Sequence, residues 1–395
     1  MSKFVLLTLK DPWLSPSGGT SAFASQLLKV FNGELAVVSM TLDEKLLEGQ
    51  WIDRTFNGIS NKYLNIKCVD YSRKRLIPLR LIFYFNILKH RKTIEKIGLD
   101  CIFIDSPEAI LTLSDHWLSI NYIFHGLNNP IKNSRYRFFR WIGVWFEKRQ
   151  LRKMNALPID CVLAASDLKG IDRFNKRTSF DQKIGKIISF PMSVDDRIFF
   201  CIDDKEKQKE ELNIIQQKVL IAIGRLAEIK GWNLLLNSFQ IFLERNPDSL
   251  LVFVGEGEDR MKIENKIKIL NLQKNVRITG FLDPKKVAKY INASDLGLVG
   301  SYNEGWSVAM CEILSCGRGI VSTAISGASD MIILGKNGFI VKDRDPVLFC
   351  DYIEQALKLR DVEKTSLAIA ENFRLRNLKQ RIEKVWPNIK ENNQE

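Results

Sequence analysis

The chain has 395 residues, 45% of them hydrophobic and 10% aromatic, and carries a formal net charge of +13. That length fits two ordinary domains better than one, with enough apolar content for two cores. No stretch reaches the roughly 18 uninterrupted apolar residues that a membrane span needs. Seven cysteines without a C-x-x-C pair and three histidines without metal-ligand spacing argue against a zinc site. They favour buried free thiols in a reducing compartment.

The run "FVLLTL" (4–9) reads as a first β-strand. The N-terminus turns polar too soon for a secretory signal. Next comes "SPSGGTSAFASQLL" (15–28), where Gly18 and Gly19 permit a close turn before a helix whose free N–H groups could face a phosphate. Alone it is a plain loop first and a phosphate or carbohydrate contact second. Further strand-like runs lie at 35–39, 101–104, 120–124, 160–165 and 186–190. His125 opens "HGLNNP" at the carboxyl end of the fourth of these six runs, where catalytic groups often sit and satisfied surface or core histidines equally occur.

A charged stretch, "DDKEKQKEELNIIQQ" (203–217), separates this series from a second one at 219–224, 250–255, 276–280, 296–300, 319–323 and 338–341. Short β-branched runs divided by helical patterns imply parallel sheets with helices on both faces. Two series imply two doubly wound domains. Ligands bind such sheets outside the carboxyl ends of the strands.

Residues at those ends in the second series are informative. Arg225 leaves the strand 219–223 and Lys230 follows one turn later, so the two could clamp a diphosphate or simply be solvated cations. "VGEGED" (254–259) is not a dinucleotide fingerprint, because Arg260 occupies the place of the third glycine. In "SYNEGWSVAMCE" (301–312), Glu304 and Glu312 bracket a strand–helix junction. Carboxylates there suit vicinal hydroxyls and the helix amides suit an anion, whereas a capping Glu304 and an exposed Glu312 are the plain alternative.

"GRLAEIKGW", "VFVGEGED", "VRITGFL", "YINASDLGLVGSYNEGWSVAMCEILSCGRGIVST", "SGASDMI" and "GKNGFIVKDRD" resemble, in order, the donor-binding half of glycosyltransferase family 4. These are retaining enzymes with the GT-B fold and an E-x7-E motif. The likeness is dense over 217–345 and thinner before it. It implies two Rossmann-like domains facing a central cleft: an acceptor-binding domain over 1–197 and a nucleotide-sugar domain over 198–365. A C-terminal helical segment, 366–395, would cross back to the N-terminal domain.

The resemblance also implies roles. Arg225 and Lys230 would bind the donor diphosphate and stabilise the departing nucleotide. Glu304, with the backbone amides of Gly305, Trp306, Ser307 and Val308, would grip the donor sugar. Glu312 would bind the ribose, His125 would stand near the reacting carbon, and Gly18 and Gly19 would face the phosphates. The chain departs from the pattern where E-G-F-G becomes Glu304-Gly305-Trp306-Ser307 and where "CGRG" (316–319) lacks a proline. It departs again where "PMSVDD" (191–196) replaces N-G-V-D.

The resulting expectation is a retaining, metal-independent glycosyltransferase with no cofactor, the donor being a UDP-sugar ahead of a GDP-sugar. A nucleotide-sugar epimerase and a non-catalytic sugar- or lipid-binding protein of the same fold are the alternatives. The positive excess sits in 73–92, with seven Lys/Arg and no acid, and in 132–153, with eight and one. Aromatic and aliphatic residues alternate with those cations as in interfacial helices. This fits a lipid-linked glycan acceptor in polysaccharide or lipopolysaccharide synthesis, and a cytoplasmic protein held peripherally on an anionic inner membrane face. Basic core helices are the plainer reading, and no motif supports a nucleic acid partner.

Overall fold

A computed structural model describes residues 2–14, 19–70, 77–124, 137–178 and 186–387. The chain divides into two compact units, one of residues 1–192 with 377–395 and one of residues 193–376. These boundaries differ by a few residues from 197, and by eleven from 365, because the helix Val362–Ala370 packs in the second unit against the helix Val308–Ser315.

Among the described residues the first unit holds eight strands: β1 (Phe4–Lys10), β2 (Leu35–Thr41), β3 (Trp51–Phe56), β4 (Ile59–Cys68), β5 (Cys101–Ile104), β6 (Ser119–Phe124), β7 (Ile159–Ala164) and β8 (Lys186–Ser189). Their order is β3-β4-β2-β1-β5-β6-β7-β8. Every pairing is parallel except β3 with β4. That antiparallel hairpin is the one departure from the expected strand set. It turns at Asn57 and Gly58, both with positive φ, as a two-residue hairpin turn requires. Arg54 of the hairpin pairs with buried Asp11 at 2.6 Å, its guanidinium lying over the adjoining rings of Trp13 and Tyr63. The hairpin thereby holds the segment that leaves β1.

The central strands are apolar on both faces because both are covered. Val5, Leu7, Val38, Ile102, Ile104 and Ile120 pack with Phe83 and Ile87 of the helix Leu79–Glu95. On the other face Phe103 meets Phe23 and Trp386. Trp386 follows the last helix, Leu378–Val385, and is fully buried, its indole N–H shared between Ser119 and Asp160. Trp386 is therefore part of the first core.

The second unit holds β9 (Lys218–Ile223), β10 (Ser249–Val254), β11 (Val276–Ile278), β12 (Leu296–Val299), β13 (Gly319–Thr323) and β14 (Gly338–Val341). All are parallel, in the order β11-β10-β9-β12-β13-β14. The helix Trp232–Arg245 buries Leu234, Leu235, Phe239 and Phe242 against the helix Pro346–Ala356 through Phe349 and Ile353. Each such side chain contributes about 1.5–3 kcal/mol by leaving water. Asp283, Ser307 and Asp345 cap helices by accepting from backbone N–H groups, and Pro284 and Pro346 occupy first-turn positions that need no donor.

The order in which strands are added reverses between the parallel neighbours β9 and β12, so their carboxyl ends flank a crevice. Gly231 lies there with φ of 67°, and a Cβ on it would stand 1.8 Å from the Gly300 carbonyl oxygen. Gly231→Ala combines a left-handed alanine, costing about 1–2 kcal/mol, with that collision. Denaturant unfolding should show the second unit destabilised by more than this conformational cost alone. A midpoint equal to the parent's would contradict the close approach.

Candidate functional site

A shallow pocket, open to solvent, sits at this crevice and is lined by Gly224, Arg225, Lys230, Ser301, Glu304 and Ser307 among others. β9 is followed by Gly224, whose φ of 142° favours glycine and beside which the Lys230 stem runs in ordinary van der Waals contact. A single 3-10 turn, Glu228–Lys230, then carries Lys230 to the wall, and Gly231 ends it. Arg225 is mostly exposed and faces Glu258 at 3.6 Å.

Lys230 donates to Glu304 Oε1 at 2.5 Å, and the Ser301 hydroxyl donates to the same oxygen at 2.7 Å. Arg344 fastens the loop behind them, donating to the Gly300 and Ser301 carbonyls at 2.8 and 3.1 Å. Its guanidinium also stacks on Tyr302 at 3.5 Å. Ser301, Glu258 and Arg344 were not singled out from the sequence. "KDRD" offered no period or spacing to do so, because the partners of Arg344 lie over forty residues away.

The pocket thus gathers Arg225, Lys230, Glu304 and Ser307. Ser307 caps the helix Val308–Ser315 by accepting from the Met310 N–H at 3.4 Å. Gly305, Trp306, Val308 and Glu312 do not line the pocket. Trp306 turns inward, its N–H 3.2 Å from Cys311 Sγ and its ring edge-on to Phe373. Gly327 supplies the clearance, since a Cβ there would stand 2.8 Å from that ring. The tryptophan that replaces the usual phenylalanine is a core residue in its side chain. Gly19 begins the helix Gly19–Val30 of the first unit, and Gly18 and His125 lie outside the described residues.

Glu312, in the middle of the Val308–Ser315 helix, is half-buried and has no hydrogen-bond partner among the described residues. Burial pushes its carboxyl up to about 8. In the first unit Asp105 is also buried, at the end of β5 beside the β1/β5 reversal, and burial pushes it up to about 7 against the pull of Arg80. Among the described residues, Cys201, Asp203 and Glu363 are the one group whose donor atoms lie within 4.8 Å of one another. None of the three lines the pocket.

Two doubly wound Rossmann-like units in one chain define the GT-B class of α/β fold. Sucrose-phosphate synthase from Thermosynechococcus elongatus matches with a TM-score of 0.77 over 99% of both chains at 16% identity. An Anabaena protein, HepE, solved with UDP-glucose, matches with a TM-score of 0.68 over 96% of this chain and 98% of its own at 17% identity. Residues 204–376 match the family model described as glycosyl transferases group 1. The 2-deoxystreptamine N-acetyl-D-glucosaminyltransferase of Niallia circulans is 26% identical over 219 residues, 55% of this chain and 54% of that enzyme. The chain spans between 35% and 54% of the first curated relatives it matches.

The raised Glu312 carboxyl has a pH signature. Unfolded, it ionises near 4.5; folded, near 8. Stability tied to its neutral form is complete below 4.5 and declines as pH rises through 8. Glu312→Gln should therefore melt higher relative to the parent at pH 9 than at pH 4. A gap that does not change with pH would contradict a buried, unpaired carboxyl.

Proposed function

We propose that the chain is a retaining glycosyltransferase of family 4, moving a sugar from a nucleotide-sugar, a UDP-sugar by preference, to a lipid-linked glycan. The observation that carries this reading is the convergence of Arg225, Lys230, Glu304 and Ser307 on the β9/β12 crevice. Two cations and a helix N-terminus match a diphosphate; a carboxylate beside them matches sugar hydroxyls. HepE was solved with UDP-glucose, which supports the donor class.

In the proposed transfer, the bond from the anomeric carbon to the diphosphate oxygen breaks and its electron pair stays with the nucleotide. The acceptor oxygen bonds to the anomeric carbon on the same face, and its proton goes to the departing phosphate. Arg225, Lys230 and the amides at Ser307 and Val308 would stabilise the negative charge that develops. Glu312 would take ribose hydroxyls, for which it must shed its proton. His125 would belong to the acceptor side.

Binding of UDP and UDP-glucose by calorimetry tests the donor site. Lys230→Ala and Arg225→Ala should each weaken UDP about tenfold or more, the scale of a charge-assisted contact. Transfer should persist in excess EDTA. Failure to bind any nucleoside diphosphate, or activity restored only by Mg²⁺ or Mn²⁺, would contradict the proposal. Incubation with donor alone separates an epimerase, which would interconvert the sugar without an acceptor.

The acceptor reading rests on the first unit. Its helix Leu79–Glu95 buries Phe83, Ile87 and Ile94, yet leaves Phe85 61% exposed and Leu88 40% exposed beside Lys89, Arg91 and Lys92. The helix Arg137–Ala156 similarly exposes Trp145, with Arg149 over its ring at 5.4 Å. No described helix is long and apolar enough to cross a membrane. Apolar side chains among cations suit the headgroup region of an anionic leaflet, on the inner face of the cell membrane, with about 1 kcal/mol per cation. Changing Lys89, Arg91 and Lys92 to Glu should abolish co-sedimentation with phosphatidylglycerol vesicles at low salt while leaving UDP binding intact. Indifference of the parent to anionic lipid would contradict the assignment.

A further inference from the structure

The two cations of the proposed diphosphate site already have carboxylate partners, and the two pairs differ. Arg225 and Glu258 are 3.6 Å apart with side chains 63% and 60% exposed. Such a pair is worth little in water. Lys230 and Glu304 are 2.5 Å apart with side chains 32% and 14% exposed, inside the pocket wall. Glu304 Oε1 accepts from both Lys230 and Ser301, so that oxygen is already engaged.

Resting on the donor reading above, we infer that Glu304 is a displaceable counter-ion of the diphosphate site, and that its exchange makes sugar recognition conditional on the diphosphate. The four side chains sum to zero charge. A neutral sugar brings nothing that can replace Glu304 at Lys230, and separating a sheltered pair leaves two uncompensated charges. A diphosphate brings more than one negative charge and several acceptor oxygens, so Lys230 can trade one anion for another without being stripped. The trade releases Glu304 Oε1. The Ser301 hydroxyl keeps the carboxylate on the pocket wall, where it can then accept sugar O–H groups.

The arrangement selects a ligand class. Compounds bearing both a diphosphate and a sugar gain the whole site; free sugars do not. It also gives Glu304 opposite effects on the two halves of the donor. For the sugar it is an attractive partner. For the diphosphate it is a competitor.

The decisive measurement is calorimetric titration with inorganic pyrophosphate of the full chain, Glu304→Gln and Glu258→Gln. Glutamine keeps the size and the Ser301 contact but removes the competing charge. Glu304→Gln should bind pyrophosphate about tenfold more tightly, within the range of ordinary coupling between sites. Glu258→Gln should change it less than about threefold, as for an exposed pair. Glucose should bind the parent only when UDP is present. Glu304→Asp, which draws the carboxylate back, should show an intermediate gain and serves if the glutamine variant folds poorly. Unchanged or weaker pyrophosphate binding in Glu304→Gln, or glucose binding equal with and without UDP, overturns the exchange while leaving the donor site standing. If the parent and variants bind neither pyrophosphate nor UDP, the donor reading itself falls and the exchange falls with it.

Discussion

The close approach of two loop backbones, at Gly231 after β9 and Gly300 after β12, is the constraint on which the pocket depends. Side chains on either residue would be driven into the opposite chain: into the Gly300 carbonyl in one case, into Leu235 and the Gly231 carbonyl in the other. With both bare, the turn that carries Lys230 lies against the loop that carries Glu304. Arg344 holds that loop from behind by its carbonyl oxygens, and Thr323 donates to the Ser301 carbonyl at 2.6 Å. Residues 74 positions apart thereby meet in one ion pair. The functional groups sit on a turn and a loop fastened just beyond the strand ends, a setting that favours electrostatic preorganisation.

Electrostatics divides the acids of the second unit into two kinds. Glu304 has found a cation and a hydroxyl. Glu312, eight residues on, has found neither and is held neutral by burial up to about pH 8. An unpaired, desolvated carboxyl is a cost to the fold, and groups kept at such a cost concentrate at functional sites. The same logic extends to Asp105 in the first unit, whose carboxyl is raised by burial at the carboxyl end of β5. Ligands of this fold class are met outside the carboxyl ends of the strands, and of these acids Glu304 lines the pocket at such an end.

How much was legible in the chain follows from what each segment buries. Every apolar run named from the sequence is a strand, because strands covered on both faces must be apolar throughout and so announce themselves. β3 and β4 escaped because β3 is half-exposed and polar at Asp53, Arg54 and Thr55 in a row, although the Asn57-Gly58 turn between them was a usable signal. The charged site residues were legible as residue types at strand ends, and the resemblance ordered them. Their partners were not. Trp306 read as part of a donor-binding run, yet its side chain went to the core, since only the folded chain brings Gly327 and Phe373 beneath it.

The sequence by itself determined the two doubly wound units, the chain order of their strands and the identity of the cations and acids at the strand ends. These depend on local periodicity and on residue chemistry, which one segment carries alone. The tertiary structure decided which charges cancel, which acid faces the pocket and which is half-buried with no hydrogen-bond partner among the described residues. It also decided that the last helix returns to the first core through Trp386. Those outcomes rest on distances between segments far apart in the chain, set by sheet order and by where two glycines let backbones touch. No local pattern encodes such a distance.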